Sequence, residues 1–187
     1  MTLAPAIWPA DLTEVRALFT EYAEWLARDH GIDLAHGQAL DQELAELPGS
    51  YAPPAGQLIL ARGEDSLPGG GTARGVIAFR PGPAPDTCEI KRLYVRPAAR
   101  GTGLARRLIG EILDHARAAG YAHAVLDTAG FMSGAQALYE AAGFRDIPPY
   151  WPNPIAHVPI RYMGVTLQEP AMAATSFSIN TERGSSE

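Results

Sequence analysis

Apolar side chains recur at intervals of three and four positions in four segments of the chain, a spacing typical of one face of an α-helix. In the first segment, which follows Asp11 as a candidate N-cap, these positions are Leu12, Val15, Leu18, Phe19, Tyr22 and Leu26. The other segments run from about residue 34 to 47, from 104 to 119 and from 133 to 142. Pro48, Gly120 and Gly143 follow them, as expected where a helix ends.

Five shorter apolar runs, separated by turns rich in Gly and Pro, predict β-strands. They are QLILAR (57–62), ARGVIAFR (73–80), CEIKRLYVR (88–96), AHAVLDT (122–128) and HVPIRYMGVTL (157–167). From the third run onward strands alternate with helices, so the pattern predicts an α/β fold.

The third run departs from the alternation of a half-buried strand. Strict alternation would place Leu93 and Val95 on the face opposite to Tyr94, yet all three side chains are apolar or aromatic. Either a β-bulge or burial of both faces would reconcile this pattern with a strand.

The composition is that of a globular protein, and 187 residues are enough for one well-filled core. We expect a single domain over residues 1–167 and a tail, 168–187, whose polar, aperiodic sequence predicts disorder or loose attachment. No apolar run approaches the roughly 18 residues of a membrane span, and the N-terminus lacks a secretory pattern. The sequence therefore predicts a cytoplasmic protein with no membrane partner. The lone cysteine, Cys88, is interpreted as a small strand residue.

Positive charge is concentrated in one segment of a chain whose net charge is −6. Residues 91–107 contain six basic residues and no acidic one. With these six set aside, nine Lys and Arg remain in the chain against 21 Asp and Glu. This asymmetry argues against a nucleic-acid partner, which needs a broad basic face, and favours a local anion site.

The basic segment contains the start of the third predicted helix, in the sequence Arg100-Gly101-Thr102-Gly103-Leu104-Ala105. N–H groups in the first turn of a helix have no partner within the helix, and the helix dipole adds positive charge, so such a start can bind phosphate. A P-loop would need Gly-Lys followed by Ser or Thr, and a dinucleotide-binding loop would need Gly at position 106, which is Arg. Both of these phosphate loops are excluded.

The six residues instead resemble the coenzyme A diphosphate loop of the GNAT superfamily of N-acyltransferases. Three segments extend the resemblance over about half of the chain: EIKRLYVRPAARGTGLARRLI is similar to the family's fourth strand, loop and third helix, VLDT to its fifth strand, and AQALYEAAGF to the following helix and the start of the next strand. The resemblance implies a mixed, mostly antiparallel central sheet with helices on both faces, and acetyl-CoA as cosubstrate without a metal.

The resemblance also implies roles for individual residues in coenzyme binding. The loop from Arg100 to Ala105 would hold the diphosphate, and backbone groups of Leu93, Tyr94 and Val95, in a bulged strand that splays from its neighbour, would pair with the pantetheine arm. Many members place Asn after the fifth strand to hold this arm. Counting back from Tyr139 places Met132 at that position.

Two residues are candidates for proton transfer. Tyr139 matches the family tyrosine that protonates the departing thiolate, although its place on the apolar helix face also fits a core residue. Glu89 matches the strand position of the general base, although a solvated carboxylate or a partner for Lys91 is an alternative.

The remaining candidates concern the acceptor. Four prolines stiffen the loop around Tyr150 and Trp151, which we expect to shape the acceptor pocket, with simple loop packing as the alternative. Arg92 and Arg96 are interpreted as solvated surface charges rather than as ligands for a substrate carboxylate. Trp8 and Trp25 are interpreted as core residues.

The predicted function is direct acetyl transfer from acetyl-CoA to a primary amine in a ternary complex. Transfer of a longer acyl group and a non-catalytic acetyl-CoA sensor are the alternatives. The acceptor stays open among small amines, amino acids, antibiotics and protein N-termini, with the acidic body favouring a cationic amine. The oligomeric state is also open, with a homodimer as one alternative.

Overall fold

The computed structural model describes residues 1–32, 40–63, 73–153 and 158–167. Within these residues the helices are α1 (Leu12–His30), α2 (Leu40–Glu46), α3 (Leu104–Ala118) and α4 (Ser133–Ala141). The strands are β1 (Thr2–Pro5), β2 (Gln57–Arg62), β3 (Ala73–Pro81), β4 (Thr87–Val95), β5 (His123–Ala129), β6 (Arg145–Asp146) and β7 (Ile160–Thr166). Short 3-10 turns lie at Gly49–Tyr51 and Pro97–Ala99.

The seven strands of the described residues form one mixed sheet in the order β1-β2-β3-β4-β5-β7-β6. Neighbouring strands are antiparallel, except that β4 and β5 run parallel. α1 packs against β3 and β4, while α3 packs against β2, β3 and β4. The predicted mostly antiparallel sheet with helices on both faces is confirmed.

Each face of the sheet has its own hydrophobic core, because the buried strand residues alternate between the two faces. The core beneath α3 contains Ile59, Ile77, Phe79 and the apolar face of α3 around Leu108. The core beneath α1 contains Val15, Phe19, Leu58, Leu60 and Val76. A two-sided core explains why the central strands are apolar almost throughout.

A β-bulge interrupts β4 next to β3. Val76 pairs with Tyr94 and Ala78 pairs with Lys91, so two residues of β4 lie opposite Ile77 alone. Arg92 has a φ of 60°, in the left-handed region that side chains other than glycine rarely adopt. Cys88 and Ile90 belong to the core beneath α3, with Leu93 and Val95 packed against it, whereas Tyr94 belongs to the core beneath α1. The structure thus contains both features that could explain the sequence pattern.

β4 and β5 pair over only a short distance before they diverge. Their register runs from Thr87 opposite His123 to Glu89 opposite Val125. Beyond this point β5 continues to pair with β7 up to Ala129, but β4 has no strand partner on that side among the described residues. The parallel pair therefore opens into a gap between Ile90–Val95 and the end of β5.

The ends of α3 and α4 are those that the sequence predicts. Gly103 and Gly120, with φ values of 78° and 91°, flank α3. After α4, the N–H of Phe144 bonds to the carbonyl of Tyr139, and the two rings meet edge to face at 5.7 Å. This contact holds Tyr139 firmly at the end of α4.

Several local predictions need correction. The short strand β1 was not predicted, whereas β6 begins directly after Phe144, where the resemblance implied the start of a strand. The described part of the second helix begins only at Leu40, since residues 33–39 lie outside the described residues. Asp11 occupies the N-cap position of α1 as predicted, but its side chain makes no capping bond: its carboxylate accepts a bond from the N–H of Ile7 and pairs with Arg62 at 2.6 Å. The predicted tail, 168–187, also lies outside the described residues, and no described helix is long and apolar enough to cross a membrane.

Candidate functional site

The chain between β4 and α3 forms a tight loop with two glycines in the left-handed region. Gly101 and Gly103 have φ values of 76° and 78°, which a residue with a side chain would adopt only with strain. The Thr102 hydroxyl donates to the carbonyl of Ala99 at 2.7 Å, and Nε of Arg100 donates to the carbonyl of Val95 at 3.1 Å. These two side-chain bonds fix the path of the loop and do not use its backbone N–H groups.

The amides of this loop are available to a ligand. In the described part of the chain, no hydrogen-bond acceptor is found for the backbone N–H groups from Gly101 to Arg106; the first N–H to bond is that of Arg107, to the carbonyl of Gly103. A Cβ placed on Gly101 or Gly103 would meet nothing within 4 Å, so the surface of the loop is open. Uncapped amides at the positive end of a helix form an anion site.

A groove of about 890 Å³ runs from this loop along the gap beside β4. Its walls are formed by Leu93, Tyr94, Val95, Arg100, Ala105 and by the start of α4 from Met132 to Ala135. Aromatic side chains lie along it: Trp25 lies 5.3 Å beneath the Arg100 guanidinium, and His30 stacks on Phe131 at 4.1 Å. Trp25 is therefore a half-buried wall of the groove and not the core residue that we predicted.

A second cleft, of about 710 Å³, lies deeper between α1 and the ends of β4 and β5. Leu93, Met132 and Ala135 line both the groove and this cleft, so the two spaces adjoin. The arrangement suits a long ligand in the groove whose end meets a second, smaller ligand in the cleft.

Tyr139 lines the inner cleft from α4. Its side chain is buried, yet its hydroxyl has no hydrogen-bond partner among the described residues. Burial raises the pKa of Tyr139 well above the ordinary tyrosine value, and the nearby Tyr22 and Asp127 raise it further. The side chain is therefore a neutral proton donor at any physiological pH.

The charged lining of the cleft comes from β4 and β5. Nζ of Lys91 lies 2.7 Å from Oδ1 of Asp127 and 3.5 Å from Oε1 of Glu89. Arg92 crosses the Phe19 ring at 5.8 Å and bonds to both carboxylate oxygens of Glu43, with Nε at 2.8 Å from Oε1. Burial alone would raise the pKa of Glu43, but Arg92 and Tyr51 bond to its carboxylate and hold the pKa below its usual value.

These contacts correct our interpretation of the arginines. The Arg92 side chain is only 3% exposed, so it is a buried ion-pair partner rather than a solvated charge. Arg96 is half-buried and pairs with Glu21 at 2.6 Å. Trp8 packs at the margin of the core beneath α1 instead of within it. Cys88 is buried in its strand, and burial raises the pKa of its thiol to about 12.

Glu89 lies beneath the cleft rather than in its lining. Its carboxylate is buried and accepts bonds from Nε of Arg80 at 2.8 Å and from the Tyr150 hydroxyl at 3.0 Å. The Trp151 ring packs 5.2 Å from Nζ of Lys91. Tyr150 and Trp151 therefore pack behind the charged groups, and neither belongs to the residues that line the cleft.

Three residues of the cleft were not predicted from the sequence: Tyr22, Lys91 and Asp127. Tyr22 lies on the face of α1 that turns toward the cleft, where burial raises its pKa to about 12, Arg92 lowers it and Asp127 raises it. A charged residue, Asp127, near the end of an otherwise apolar predicted strand was a visible signal of a site. The described residues contain no group of His, Cys, Asp and Glu side chains that could hold a metal ion.

Comparisons with known proteins agree with this geometry. A sequence model of the GNAT family of acetyltransferases matches residues 15–144. An uncharacterised N-acetyltransferase of Schizosaccharomyces pombe is 40% identical over 150 residues, which are 80% of this chain and 86% of that protein. An uncharacterised N-acetyltransferase of Escherichia coli is 34% identical over 139 residues, 74% of this chain and 77% of that protein.

A solved structure shares the fold. A Salmonella typhimurium protein whose structure contains its cofactor acetyl-CoA superposes with a TM-score of 0.62 at 20% identity, over 91% of this chain and 96% of that one. The sequence matches and the shared fold point to the same family.

Proposed function

The chain belongs to the GNAT family of acetyltransferases, and we propose that it transfers an acetyl group from acetyl-CoA to a primary amine while both substrates are bound. As a member of this family it is an acetyl-CoA-dependent acyltransferase. The observation that supports the donor most directly is the row of uncapped amides from Gly101 to Arg106 beside an open groove.

We assign the diphosphate of the coenzyme to these amides. They lie at the positive end of α3, and Gly101 and Gly103 have no side chain that could cover them. The anion would thus be bound mainly by backbone groups, with the Arg100 guanidinium as the nearest fixed charge of the loop.

The pantetheine arm follows the gap beside β4. β4 has no strand partner on this side among the described residues, and backbone groups of Leu93, Tyr94 and Val95 would there pair with the amides of the arm. Met132 has no side-chain amide to offer, so at this position the arm would meet a thioether. The Gln136 side-chain amide fixes the loop between β5 and α4 by donating to the carbonyls of Ala129 and Gly130.

Bound acetyl-CoA would supply an activated thioester from which an amine can take the acetyl group. Tyr139 would donate its proton to the departing sulfur, because its hydroxyl is neutral and has no other partner among the described residues. The acceptor would lose a proton to Asp127, the carboxylate that lines the cleft. Glu89 contacts the cleft only through Lys91. We therefore propose that Glu89 is a positioning residue, which holds Lys91 and Asp127 in place, and not the base itself.

Tyr150 and Trp151 would shape the acceptor pocket from behind. Tyr150 holds Glu89 and Trp151 covers Lys91, so both would set the position of the charged groups that meet the acceptor. The described residues up to Leu167 form one sheet with two adjoining cores, which supports a single catalytic domain over 1–167.

The test combines coenzyme binding with turnover. Calorimetry should detect acetyl-CoA and CoA binding with much lower affinity for ATP, and a panel of primary amines should release free CoA thiol from acetyl-CoA. Binding without thiol release from any amine would identify a sensor instead. Equal affinity for ATP and CoA would contradict the assignment of the donor loop.

A further inference from the structure

The charge at the surface of the inner cleft differs from the charge of the whole chain. Three charged side chains occur in the described lining, namely Lys91, Arg92 and Asp127, and the rest of the lining is apolar or hydroxyl-bearing. The lining therefore has two positive groups and one negative group, although the chain has a net charge of −6. A ligand in the cleft meets this local pattern rather than the average charge of the body.

The β-bulge is what brings the second positive group to the cleft. In a regular strand, Arg92 would point to the face opposite to Lys91, into the core beneath α3. The extra residue opposite Ile77 lets both side chains lie on the face of α1. Arg92 adopts a φ of 60° there, a strained conformation that is found disproportionately at functional sites.

The positive groups are backed by carboxylates that do not line the cleft. Glu43 bonds to Arg92 from α2, and Glu89 lies 3.5 Å from Lys91 on the side away from the cleft. These contacts hold the guanidinium and the ammonium in fixed positions, which is how a preorganised anion site is built. Asp127 is different, because it lies in the lining itself.

Two phenols complete the polar lining. The hydroxyls of Tyr22 and Tyr139 have no hydrogen-bond partner among the described residues. Tyr22 is close enough to both Arg92 and Asp127 for each to act on its pKa in opposite directions. Tyr22 thus lines the same cleft as Arg92 and Asp127.

We propose that the acceptor is an amine that also carries a carboxylate, such as an amino acid. This inference rests on the proposed acetyl transfer. The acceptor carboxylate lies against Arg92 with Tyr22 beside it, and the amino group lies toward Asp127 and Tyr139. Glu43 already pairs with Arg92 and Asp127 with Lys91, so the acceptor carboxylate would be an additional partner of the Arg92 guanidinium and not the counterion of an unpaired charge.

The first test compares acceptors that differ only in the carboxylate. Leucine, phenylalanine, aspartate and β-alanine are each assayed for thiol release. Each is compared with its own amide, in which the carboxylate nearest to the amine is replaced by a carboxamide. For at least one pair, kcat/KM should favour the acid by about 10- to 100-fold, the range expected for a charge-assisted hydrogen bond. Equal or better use of every amide would overturn the proposal.

The second test asks whether Arg92 is the source of this preference. Arg92→Gln should reduce the ratio of acid to amide by at least about tenfold, and Arg92→Lys should retain part of it. A merely structural Arg92 would lower kcat/KM for both members of a pair alike and leave the ratio unchanged. Arg96→Gln, the same substitution at an ion-paired arginine outside the cleft lining, serves as the control and should keep the ratio.

Circular dichroism identifies variants that fail to fold. If Arg92→Gln is unfolded, the ratio in Arg92→Lys and the acid preference of the unaltered protein decide the question. Thiol release with amides but no preference for acids contradicts this inference and leaves acetyl transfer intact. No thiol release with any amine, acid or amide, contradicts both.

Discussion

The two ends of the candidate site differ in the part of the chain that meets the ligand. At the start of α3, backbone amides of one continuous loop face the groove, and the glycines keep side chains away from them. In the inner cleft, side chains from α1, β4, β5 and α4 converge, and the charged ones are held by partners far away in sequence. Binding by backbone groups depends on conformation, whereas binding by side chains depends on residue identity. Substitutions should therefore affect coenzyme affinity and turnover separately.

The largest effect should come from the hydroxyl of Tyr139. Tyr139→Phe removes the proposed proton donor but keeps the ring that packs against Phe144. We expect kcat to fall by about 100- to 1,000-fold, within the range for a general acid, while the Kd of acetyl-CoA stays within about twofold. Stopped-flow or steady-state thiol release measures the first quantity and calorimetry the second.

Tyr121→Phe is the matched control for this variant. Tyr121 is also a buried tyrosine beneath α3, but its hydroxyl donates to the carbonyl of Ala55 at 2.7 Å, away from the cleft. This variant should lose about 1 kcal/mol of stability with the hydrogen bond and keep its turnover. A similar loss of kcat in both variants would show that the effect is one of packing.

The next largest effect should come from the two carboxylates beside Lys91, and their loss should lower kcat/KM to different extents. Asp127→Asn should lower kcat/KM by about 10- to 100-fold, and Glu89→Gln by less, because only Asp127 lies in the cleft lining. If Asp127 accepts the proton of the amine, the loss should shrink between about pH 7 and about pH 9, where an α-amine arrives increasingly neutral. A larger loss in Glu89→Gln than in Asp127→Asn would reverse the assignment.

At the other end of the site, a methyl group on the loop should weaken coenzyme binding without changing the chemistry. Gly103→Ala should raise the Kd of acetyl-CoA about tenfold, because a side chain at this position intrudes where the amides meet the anion. The left-handed φ of 78° should also lower the free energy of unfolding by about 1 to 2 kcal/mol.

Gly120→Ala controls for the backbone strain at the opposite end of the same helix. Gly120 has a φ of 91°, and a Cβ there would also meet nothing within 4 Å. It should cost similar stability but leave the Kd of acetyl-CoA unchanged. If both variants weakened the coenzyme equally, helix stability and not the amides would control its binding.

The same difference between the two ends explains what the sequence could predict. The loop from Arg100 to Ala105 is contiguous, so its glycines and the helix that follows could be recognised from spacing alone. The apolar run from Leu93 to Val95 indicated that both faces of β4 are buried, because a strand places consecutive side chains on opposite faces, here Tyr94 toward α1 and its two neighbours toward α3. Sequence reasoning is strong where the physical cause lies within a few residues.

The inner cleft could not be predicted in this way. Lys91 and Asp127 are 36 positions apart and Arg92 and Glu43 are 49 apart, so neither ion pair leaves a local pattern. Because the sequence does not reveal that Glu43 is its partner, a strand arginine such as Arg92 is best interpreted as exposed. Strand β6, with two residues, is too short for periodicity, and β1, with four, is held by its pairing with β2.

The smallest effect should appear at alkaline pH, because the amides of the loop do not titrate and the phenols of the cleft do. Burial raises the pKa of Tyr22 from 10.0 to about 12, so the folded protein keeps a proton that the unfolded chain releases above pH 10. This contribution to stability is complete below pH 10 and is lost as the pH rises from 10.0 toward about 12. The Tyr22→Phe variant has no ionisable hydroxyl at this position. Between about pH 8 and about pH 11, its free energy of unfolding in urea should therefore fall by about 1 kcal/mol less than that of the unaltered protein. An equal fall in both proteins would mean that Tyr22 is exposed to solvent. It would contradict the assignment of a buried, neutral Tyr22 phenol to the cleft.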